Sequence, residues 1–156
     1  MPNTLLAGMP APEVKGKDAA GNEISLSDFR GSKVVLYFYP EDDTPLCTLE
    51  ACDLRDNYQI LLAKGLKVIG ISPDTEESHQ AFIEKYSLPF PLVADVEKEI
   101  ALAYGTWGEK NMYGRIYEGQ YRITFLIDEE GVISHVIKKP KSREHSAQIL
   151  KLLGMS

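Results

Sequence analysis

An unbroken apolar run that ends at a proline is the feature that most restricts how this chain can fold. Residues 33–39 read Lys-Val-Val-Leu-Tyr-Phe-Tyr, and Pro40 follows them directly. Because polar residues do not alternate with the apolar ones, the run is typical of a strand buried on both faces in the middle of a sheet. Pro40 ends the strand, since proline has no N–H to donate to a neighbouring strand. We therefore expect a central sheet with helices on its faces.

The rest of the chain alternates helix-like and strand-like patterns. Apolar residues recur at helical spacing in 46–62, whereas the glycine- and aromatic-rich segment 105–120 is expected to be a loop. The other predicted elements are strands at 23–25, 66–72 and 89–94 (the last near the sheet edge because of its prolines), helices at 74–86 (capped by Asp74 with Glu77 as partner), 96–104 and 142–153, and a hairpin of 122–127 and 132–137. This order predicts an α/β fold, in which a central mixed β-sheet is flanked by helices on both faces.

Composition restricts the class of protein. The chain has 156 residues without an internal repeat or a Pro/Gly/Ser-rich linker, so a single domain spanning 1–156 is expected. Its 23 acidic and 17 basic residues give a net charge of −6, which disfavours nucleic acid and anionic membranes as partners. No apolar run approaches the roughly 20 residues of a membrane helix, and residues 1–7 lack the pattern of a secretory signal. A cytoplasmic location is therefore expected, where a permanent disulfide between Cys47 and Cys52 is disfavoured.

Cys47 lies in the first turn of the helix that follows the central strand. The unpaired backbone N–H groups and the helix dipole stabilise an anion there, so this position favours the thiolate form of a cysteine. The end of a strand in an open α/β sheet is also where such folds place their sites. Cys47 shares a helical face with Ala51, Leu54 and Tyr58, however, so the sequence also allows a small buried core residue.

Cys52 follows Cys47 by five residues. In a helix this spacing turns the two side chains apart by about 140° and separates their Cα atoms by about 8 to 9 Å. Disulfides need a Cα separation of about 4.4 to 6.8 Å, so the two cysteines can be joined only if the first turns of the helix unwind. The pair is suited to a switch between a folded dithiol and a locally unfolded disulfide, and the alternative is that Cys52 is an unrelated second thiol.

The segment that holds both cysteines resembles a known active site. Residues 39–52 read Tyr-Pro-Glu-Asp-Asp-Thr-Pro-Leu-Cys-Thr-Leu-Glu-Ala-Cys, which closely resembles the active-site segment of peroxiredoxins, in the subgroup called bacterioferritin comigratory protein or peroxiredoxin Q. Pro40, Thr44 and Cys47 match the P-x-x-x-T-x-x-C signature of that family. Cys52 matches the resolving cysteine of many subgroup members.

The resemblance covers essentially the whole chain. Residues 122–128 are similar to the R-x-T-F-L-I-D strand of the subgroup, and residues 105–119 are similar to one of its loops. The resemblance implies a thioredoxin-like fold and the thiol-dependent reduction of hydrogen peroxide and organic hydroperoxides. It implies no metal and no organic cofactor.

The resemblance also implies a role for each matching residue. Cys47 would attack the peroxide as a thiolate and become a sulfenic acid. Thr44 would hydrogen-bond the peroxide, and Pro40 would shield the thiolate from water. Arg122 would supply a fixed positive charge to the thiolate and the leaving oxygen. From spacing alone, Arg122 is instead an ordinary strand-end residue in a surface ion pair.

Resolution of the sulfenic acid is the step with most alternatives. The resemblance implies that Cys52 forms an intramolecular disulfide with Cys47 and that thioredoxin or a similar dithiol reduces it, in a monomer or weak dimer. A one-cysteine peroxidase that uses an external thiol and a redox-sensing interaction protein are the alternatives. The sequence departs from the subgroup at Leu46, where glycine is usual, so substrate preference and the ease of unwinding are open.

Two further groups of residues have simpler interpretations. The histidines are scattered and do not pair with cysteines at zinc-binding spacing, so a metal site is not expected; they are His79, His135 and His145. Four aromatic residues around the 105–120 segment are expected to cover the core rather than to form a patch for a partner or a lipid hydroperoxide; they are Trp107, Tyr113, Tyr117 and Tyr121.

Overall fold

A seven-stranded mixed sheet forms the centre of the protein. The computed structural model describes residues 4–155, and the N-terminal segment 1–7, which lacks the pattern of a secretory signal, lies partly outside this range. The strands of the main sheet are β1 (Lys15–Lys17), β2 (Glu23–Ser25), β3 (Lys33–Phe38), β4 (Leu66–Ser72), β5 (Leu92–Ala94), β8 (Ile123–Ile127) and β9 (Ile133–Ile137), and β6 (Trp107–Met112) pairs with β7 (Arg115–Gln120) in a separate hairpin. The helices are α1 (Pro45–Asp56), α2 (Tyr58–Ala63), α3 (Glu76–Tyr86), α4 (Glu99–Tyr104) and α5 (His145–Leu152).

The predicted central strand lies in the middle of the sheet. The strand order is β2-β1-β5-β4-β3-β8-β9, and β3 pairs in parallel with β4 and antiparallel with β8. Both edges of β3 are therefore covered by neighbouring strands, which helps to explain why all its residues after Lys33 are buried. The mixed sheet and the βα order of the central part confirm the predicted α/β architecture.

Each face of the sheet has its own apolar layer. Alternate residues of β3 point to opposite faces, as the period of a strand requires. One layer packs β3 against helices α1, α2, α3 and α5, and its members include Val35, Tyr37, Tyr39, Cys47, Leu54, Leu61, Phe82 and Ile149. The other layer packs β3 against α4 and the short 3₁₀ turn Leu26–Phe29, and its members include Val34, Leu36, Phe38, Ile100 and Tyr104. Helices on both faces are thus confirmed.

The segment 105–120 is a hairpin, so the expectation of a loop is wrong. Its strands β6 and β7 are mostly exposed and polar, and they carry little of the hydrophobic pattern that identifies a strand. The two-residue connection Tyr113-Gly114 has φ of 53° and 82°, the positive pair that a type I′ turn requires. Trp107 and Tyr121 pack against the core as expected, but Tyr113 and Tyr117 are exposed, so that part of the expectation is wrong.

Side-chain hydrogen bonds move several predicted boundaries. The predicted helix 46–62 is broken at Asn57, whose side-chain amide donates to the Asp53 carbonyl and ends α1 there. The cap of α3 is Thr75 rather than Asp74, because the Asp74 carboxylate instead accepts from the N–H of Asp42. Helix α4 begins three residues later than predicted, after Lys98 in the left-handed region, and α5 begins at residue 145 rather than 142.

Strand β5 is an interior strand, so its predicted position near the sheet edge is wrong. It lies between β1 and β4, and Ala94 pairs with Lys17 of β1. The prolines that suggested an edge, Pro89 and Pro91, precede the strand, and the carbonyl of Pro91 accepts from Gly70. The strand that pairs with the outer edge of β5 is β1, which has only three residues and is therefore too short to show a recognisable sequence pattern.

Candidate active site

Helix α1 places Cys47 at the end of the central strand. Thr44 is the N-cap of α1 and Pro45 its first residue, so Cys47 falls in the first turn, directly after the turn that follows β3. The first backbone hydrogen bond of the helix runs from the N–H of Thr48 to the carbonyl of Thr44, which leaves the N–H of Cys47 without an intrahelical partner. The side chain of Cys47 is 1% exposed. A thiolate here would be shielded from water and would face the positive end of a helix.

Arg122 contacts Cys47 directly. It lies immediately before β8, and its Nη2 is 3.1 Å from the Cys47 Sγ. Its Nη1 donates to Glu50 Oε1 at 2.8 Å, and the Arg122 side chain is largely buried. Burial opposes the charge of Arg122, but Glu50 and Cys47 together hold its pKa above the usual value. The interpretation of Arg122 as a surface ion pair is therefore wrong.

Glu50 is a site residue that the sequence analysis missed. It lies one turn after Cys47 on the buried face of α1 and is fully buried. Burial raises the pKa of Glu50 to about 7, although Arg122 opposes the shift. A charged residue at i+3 from Cys47, within the apolar stripe of an amphipathic helix, is a signal that could have identified it.

His145 and Thr124 complete a polar group behind Arg122. The Nε2 of His145 lies 3.6 Å from Glu50 Oε2 and 2.8 Å from Thr124 Oγ1. His145 is fully buried at the start of α5, and burial lowers its pKa to about 4. Since His145 follows Glu50 by 95 residues in the chain, sequence spacing does not bring these residues together.

Thr44 and Pro40 lie on the two ends of the turn between β3 and α1. The Thr44 hydroxyl donates to the carbonyl of Glu41 at 2.9 Å, so its oxygen remains available as an acceptor. Pro40 borders an open cavity of about 320 Å³, together with Trp107, Lys110 and Tyr117 of the β6–β7 hairpin. Both residues are half-buried.

Cys52 lies on the same continuous helix as Cys47. Both thiols are free, and Cys52 is half-buried. Burial raises the pKa of the Cys52 thiol, while Arg55 opposes this shift. Because α1 is unbroken from Pro45 to Asp56, a disulfide between the two cysteines requires that part of this helix unwinds.

Comparison with known proteins identifies the family. The sequence profile of the AhpC/TSA family matches residues 7–136. Peroxiredoxin Bcp of Bacillus subtilis is 43% identical over 150 residues, which cover 96% of each chain. Peroxiredoxin Bcp of Escherichia coli is 42% identical over 151 residues and covers 97% of each chain. The chain is a peroxiredoxin of the Bcp/peroxiredoxin Q group.

Solved structures agree with this assignment. A cysteine-to-serine mutant of Xanthomonas campestris peroxiredoxin Q superposes with a TM-score of 0.88 at 32% identity, covering 96% of this chain and 98% of that one. The X. campestris bacterioferritin comigratory protein, described in terms of its alkyl peroxide reduction activity, superposes with a TM-score of 0.86 at 31% identity, covering 99% of this chain and 98% of that one. The thioredoxin-like fold and thiol peroxidase activity expected from the resemblance are thereby confirmed.

A second buried polar group anchors the active-site turn of this peroxiredoxin. Asp42 accepts from Tyr39 Oη at 2.6 Å and lies 2.8 Å from His79 Nδ1, and its own N–H donates to Asp74. The other ring nitrogen of His79 faces the carbonyl of Val93 at 3.1 Å. Asp42, Asp74 and His79 are close enough together to suggest a metal site, but their polar atoms are occupied by one another and by neighbouring groups. The group therefore fixes the turn between Pro40 and Thr44 against α3.

Leu46, the residue that departs from the subgroup, is 56% exposed in the first turn of α1. Its side chain therefore contributes little to the buried packing of the helix.

Among residues 4–155, no helix is both long and apolar enough to cross a membrane.

Proposed function

We propose that this peroxiredoxin reduces hydrogen peroxide and organic hydroperoxides with Cys47 as the nucleophile. The observation that carries the proposal is the 3.1 Å contact between Arg122 Nη2 and Cys47 Sγ in a buried site at a helix N-terminus. A buried thiol that meets a guanidinium and free backbone N–H groups is in a site that favours a thiolate. The reported alkyl peroxide reduction of the X. campestris homologue supports alkyl hydroperoxides as substrates here.

The reaction needs no cofactor. The Cys47 thiolate attacks the terminal oxygen of the peroxide, a sulfur–oxygen bond forms, and the oxygen–oxygen bond breaks. Sulfur is oxidised to a sulfenic acid, and the leaving oxygen takes a proton and departs as water or an alcohol. Arg122 stabilises the charge that moves from the sulfur to the leaving oxygen, because its second N–H group is fixed by Glu50.

Thr44 and Pro40 orient the substrate in this proposal. The proton of the Thr44 hydroxyl is held by the carbonyl of Glu41, so its oxygen accepts a hydrogen bond from the peroxide O–H. Pro40 has no N–H and limits the access of water from the cavity beside the β6–β7 hairpin. The two residues aim the peroxide and keep the thiolate poorly hydrated.

Cys52 resolves the sulfenic acid by attacking the Cys47 sulfur, and water leaves as the disulfide forms. This step requires the start of α1 to unwind, while its C-terminal end stays fixed. The Asp53 carboxylate accepts from the N–H of Ser146 at 2.7 Å, and Arg55 Nη1 donates to the Tyr86 carbonyl at 2.7 Å. These contacts support unwinding that is confined to residues 45–52.

A dithiol reductant closes the cycle. Thioredoxin or a similar protein reduces the disulfide by thiol exchange, which returns Cys47 and Cys52 to the reduced state. We further propose that the protein works in the cytoplasm as a single domain and as a monomer or weak dimer.

Intact mass with thiol counting, before and after one equivalent of hydrogen peroxide, tests the proposal. The expected result is loss of both free thiols and of about two mass units without a covalent dimer, since one intramolecular disulfide removes two hydrogens. The Cys52→Ser protein should gain about one oxygen on Cys47, and the Cys47→Ser protein should not react. Retained thioredoxin-dependent turnover by Cys52→Ser would instead establish the one-cysteine cycle. An unreactive wild-type protein would refute Cys47 as an activated nucleophile.

A further inference from the structure

The carboxylate of Glu50 has one oxygen without a partner. Its Oε1 accepts from Arg122, but within the described residues its Oε2 is buried without a hydrogen bond. An ionised carboxylate oxygen in such a place is costly, whereas a protonated one can donate. His145 Nε2 lies 3.6 Å from this oxygen.

Neighbouring hydrogen bonds determine which His145 nitrogen carries the proton. The Oε1 of Gln148 accepts from the backbone N–H of Lys141 at 2.9 Å, so it also faces His145 Nδ1 as an acceptor, at 3.0 Å. Nδ1 must therefore carry a hydrogen. Because burial lowers the pKa of His145 to about 4, the ring is neutral near pH 7, and its Nε2 is an acceptor. Two groups face this acceptor: the hydroxyl of Thr124 and the Oε2 of Glu50.

Arg122 is the cation that Glu50 and Cys47 share. Among residues 4–155, the other titratable groups that act on Glu50 carry no further positive charge: Tyr37 lies on β3, and Asp53 on α1 raises the pKa of Glu50. His145 on α5 is neutral. Lys110 of β6 also acts on Cys47 and on Arg122 from the hairpin side. Arg122, however, contacts both acids directly, so ionisation of either acid disfavours ionisation of the other.

We propose that Glu50 and His145 form a buried pair that holds one proton behind Arg122, so that protonation of Glu50 determines how much of the Arg122 charge is available to the Cys47 thiolate. While Glu50 is protonated, the positive charge of Arg122 stabilises the Cys47 thiolate without competition from Glu50. When the pH rises and Glu50 ionises, Glu50 competes for Arg122, and the thiolate is less stable. His145 acts through Glu50 and Arg122, so it is a positioning residue and touches no substrate. The inference rests on the proposed role of Cys47 as the nucleophile.

Two variants should shift the Cys47 thiolate in opposite directions. In Glu50→Gln, Arg122 is no longer shared with an anion, so the titration midpoint of Cys47 should fall. In His145→Asn, the shorter side chain cannot accept the Glu50 proton. The pKa of Glu50 should therefore fall by about one unit, the equivalent of one ordinary hydrogen bond. The midpoint of Cys47 should then rise. Simple damage to the site would raise the Cys47 midpoint in both variants.

The experiment uses reduced protein with Cys52→Ser, so that Cys47 is its one thiol. Infrared spectroscopy follows the protonated carboxyl of Glu50 against pH, and ultraviolet absorbance follows the Cys47 thiolate. The matched control is His135→Gln, which changes a histidine on β9 opposite Leu126 and should leave both titrations unchanged. If His145→Asn does not fold, Thr124→Val removes the competing hydroxyl and should raise the Glu50 midpoint.

The outcomes separate this inference from the proposed function. A carboxyl band near neutral pH that disappears in Glu50→Gln, with opposite shifts of Cys47, supports the proton-holding pair. A Glu50 midpoint unchanged in His145→Asn, or Cys47 shifts of the same sign, overturns it. Single-turnover peroxide consumption by the same proteins tests Cys47 as the nucleophile independently, because the infrared titration of Glu50 does not depend on turnover.

Discussion

Replacing Glu50 by glutamine should change how the stability of the protein depends on pH. The folded protein raises the pKa of Glu50 from 4.5 to about 7, chiefly by burial. Between these two pKa values the folded state keeps a proton that the unfolded state has lost. The contribution of Glu50 to the free energy of unfolding is therefore fully present below pH 4.5 and is lost as the pH rises to about 7. Glutamine has no such proton and keeps an oxygen that can accept from Arg122. The variant should therefore gain stability relative to wild type as the pH rises.

The size of the effect follows from the pKa difference of about 2.5 units. At about 1.4 kcal/mol per unit, Glu50→Gln should gain about 3 kcal/mol in free energy of unfolding, relative to wild type, between pH 4.5 and pH 7. His145 contributes with the opposite sign, because burial lowers its pKa from 6.5 to about 4. Its burial therefore lowers the free energy of unfolding at low pH, and this cost disappears as the pH rises through nearly the same range. The two effects offset one another in the wild-type protein, so the difference between the proteins is the informative quantity.

Urea unfolding of both reduced proteins at several pH values from 4.5 to 7.5 measures this difference. Glu129→Gln is the control, because a hydrogen bond from Lys33 lowers the pKa of that exposed carboxylate and places its titration below the window. The control should run parallel to wild type. If Glu50→Gln also runs parallel, Glu50 ionises normally in the folded protein, and the reasoning about the buried site is wrong.

Three further substitutions test the packing and the chemistry. Gly70→Ala should lower the free energy of unfolding by about 1–3 kcal/mol in urea melts, because a Cβ there would lie 2.6 Å from Leu92 Cδ2 and 2.9 Å from the Tyr37 ring. Arg122→Lys should slow peroxide oxidation of Cys47 about a hundredfold in stopped-flow assays, because an ammonium lacks the planar fork that reaches both Glu50 and Cys47. Leu46→Gly should speed disulfide formation about fivefold, measured by quenched mass spectrometry, since glycine costs the exposed first turn about 1 kcal/mol of helix stability. Unchanged stability, oxidation rate or disulfide rate, respectively, would contradict each expectation.

The sequence predicts the elements whose patterns are set by burial. The run 33–39 has no polar interruption, and it became the central strand β3 because both of its faces and both of its edges are covered. The hairpin β6–β7 was missed for the opposite reason. Its residues contact little of the core, so no hydrophobic period marks it, and the signal lies in the conformational requirement of Tyr113-Gly114. A buried segment shows a hydrophobic pattern in the sequence, whereas an exposed turn is marked only by the conformational requirements of its residues.

Local motifs identify the parts of the site that come from one segment of chain. Pro40, Thr44 and Cys47 all lie around one strand end, so the short signature of the family that the segment resembles covers all three. Glu50 and His145 could not be grouped in this way, because His145 reaches the site through the packing of α5 on α1. Only the burial of a charged residue on the apolar face of α1 points toward this part of the site.

The contacts of α1 suggest why oxidation and unwinding are linked in the proposed cycle. Arg122 holds the first turn of the helix through the Cys47 sulfur and the next turn through Glu50. A hydrogen bond to a thiolate is charge-assisted, whereas a bond to a neutral sulfenic acid is weaker by roughly half. Attack on the peroxide therefore removes the charge that fastens the first turn, while Asp53 remains fixed to Ser146. In the proposed cycle, the chemical step itself therefore loosens the part of the helix that must unwind before Cys52 can reach Cys47.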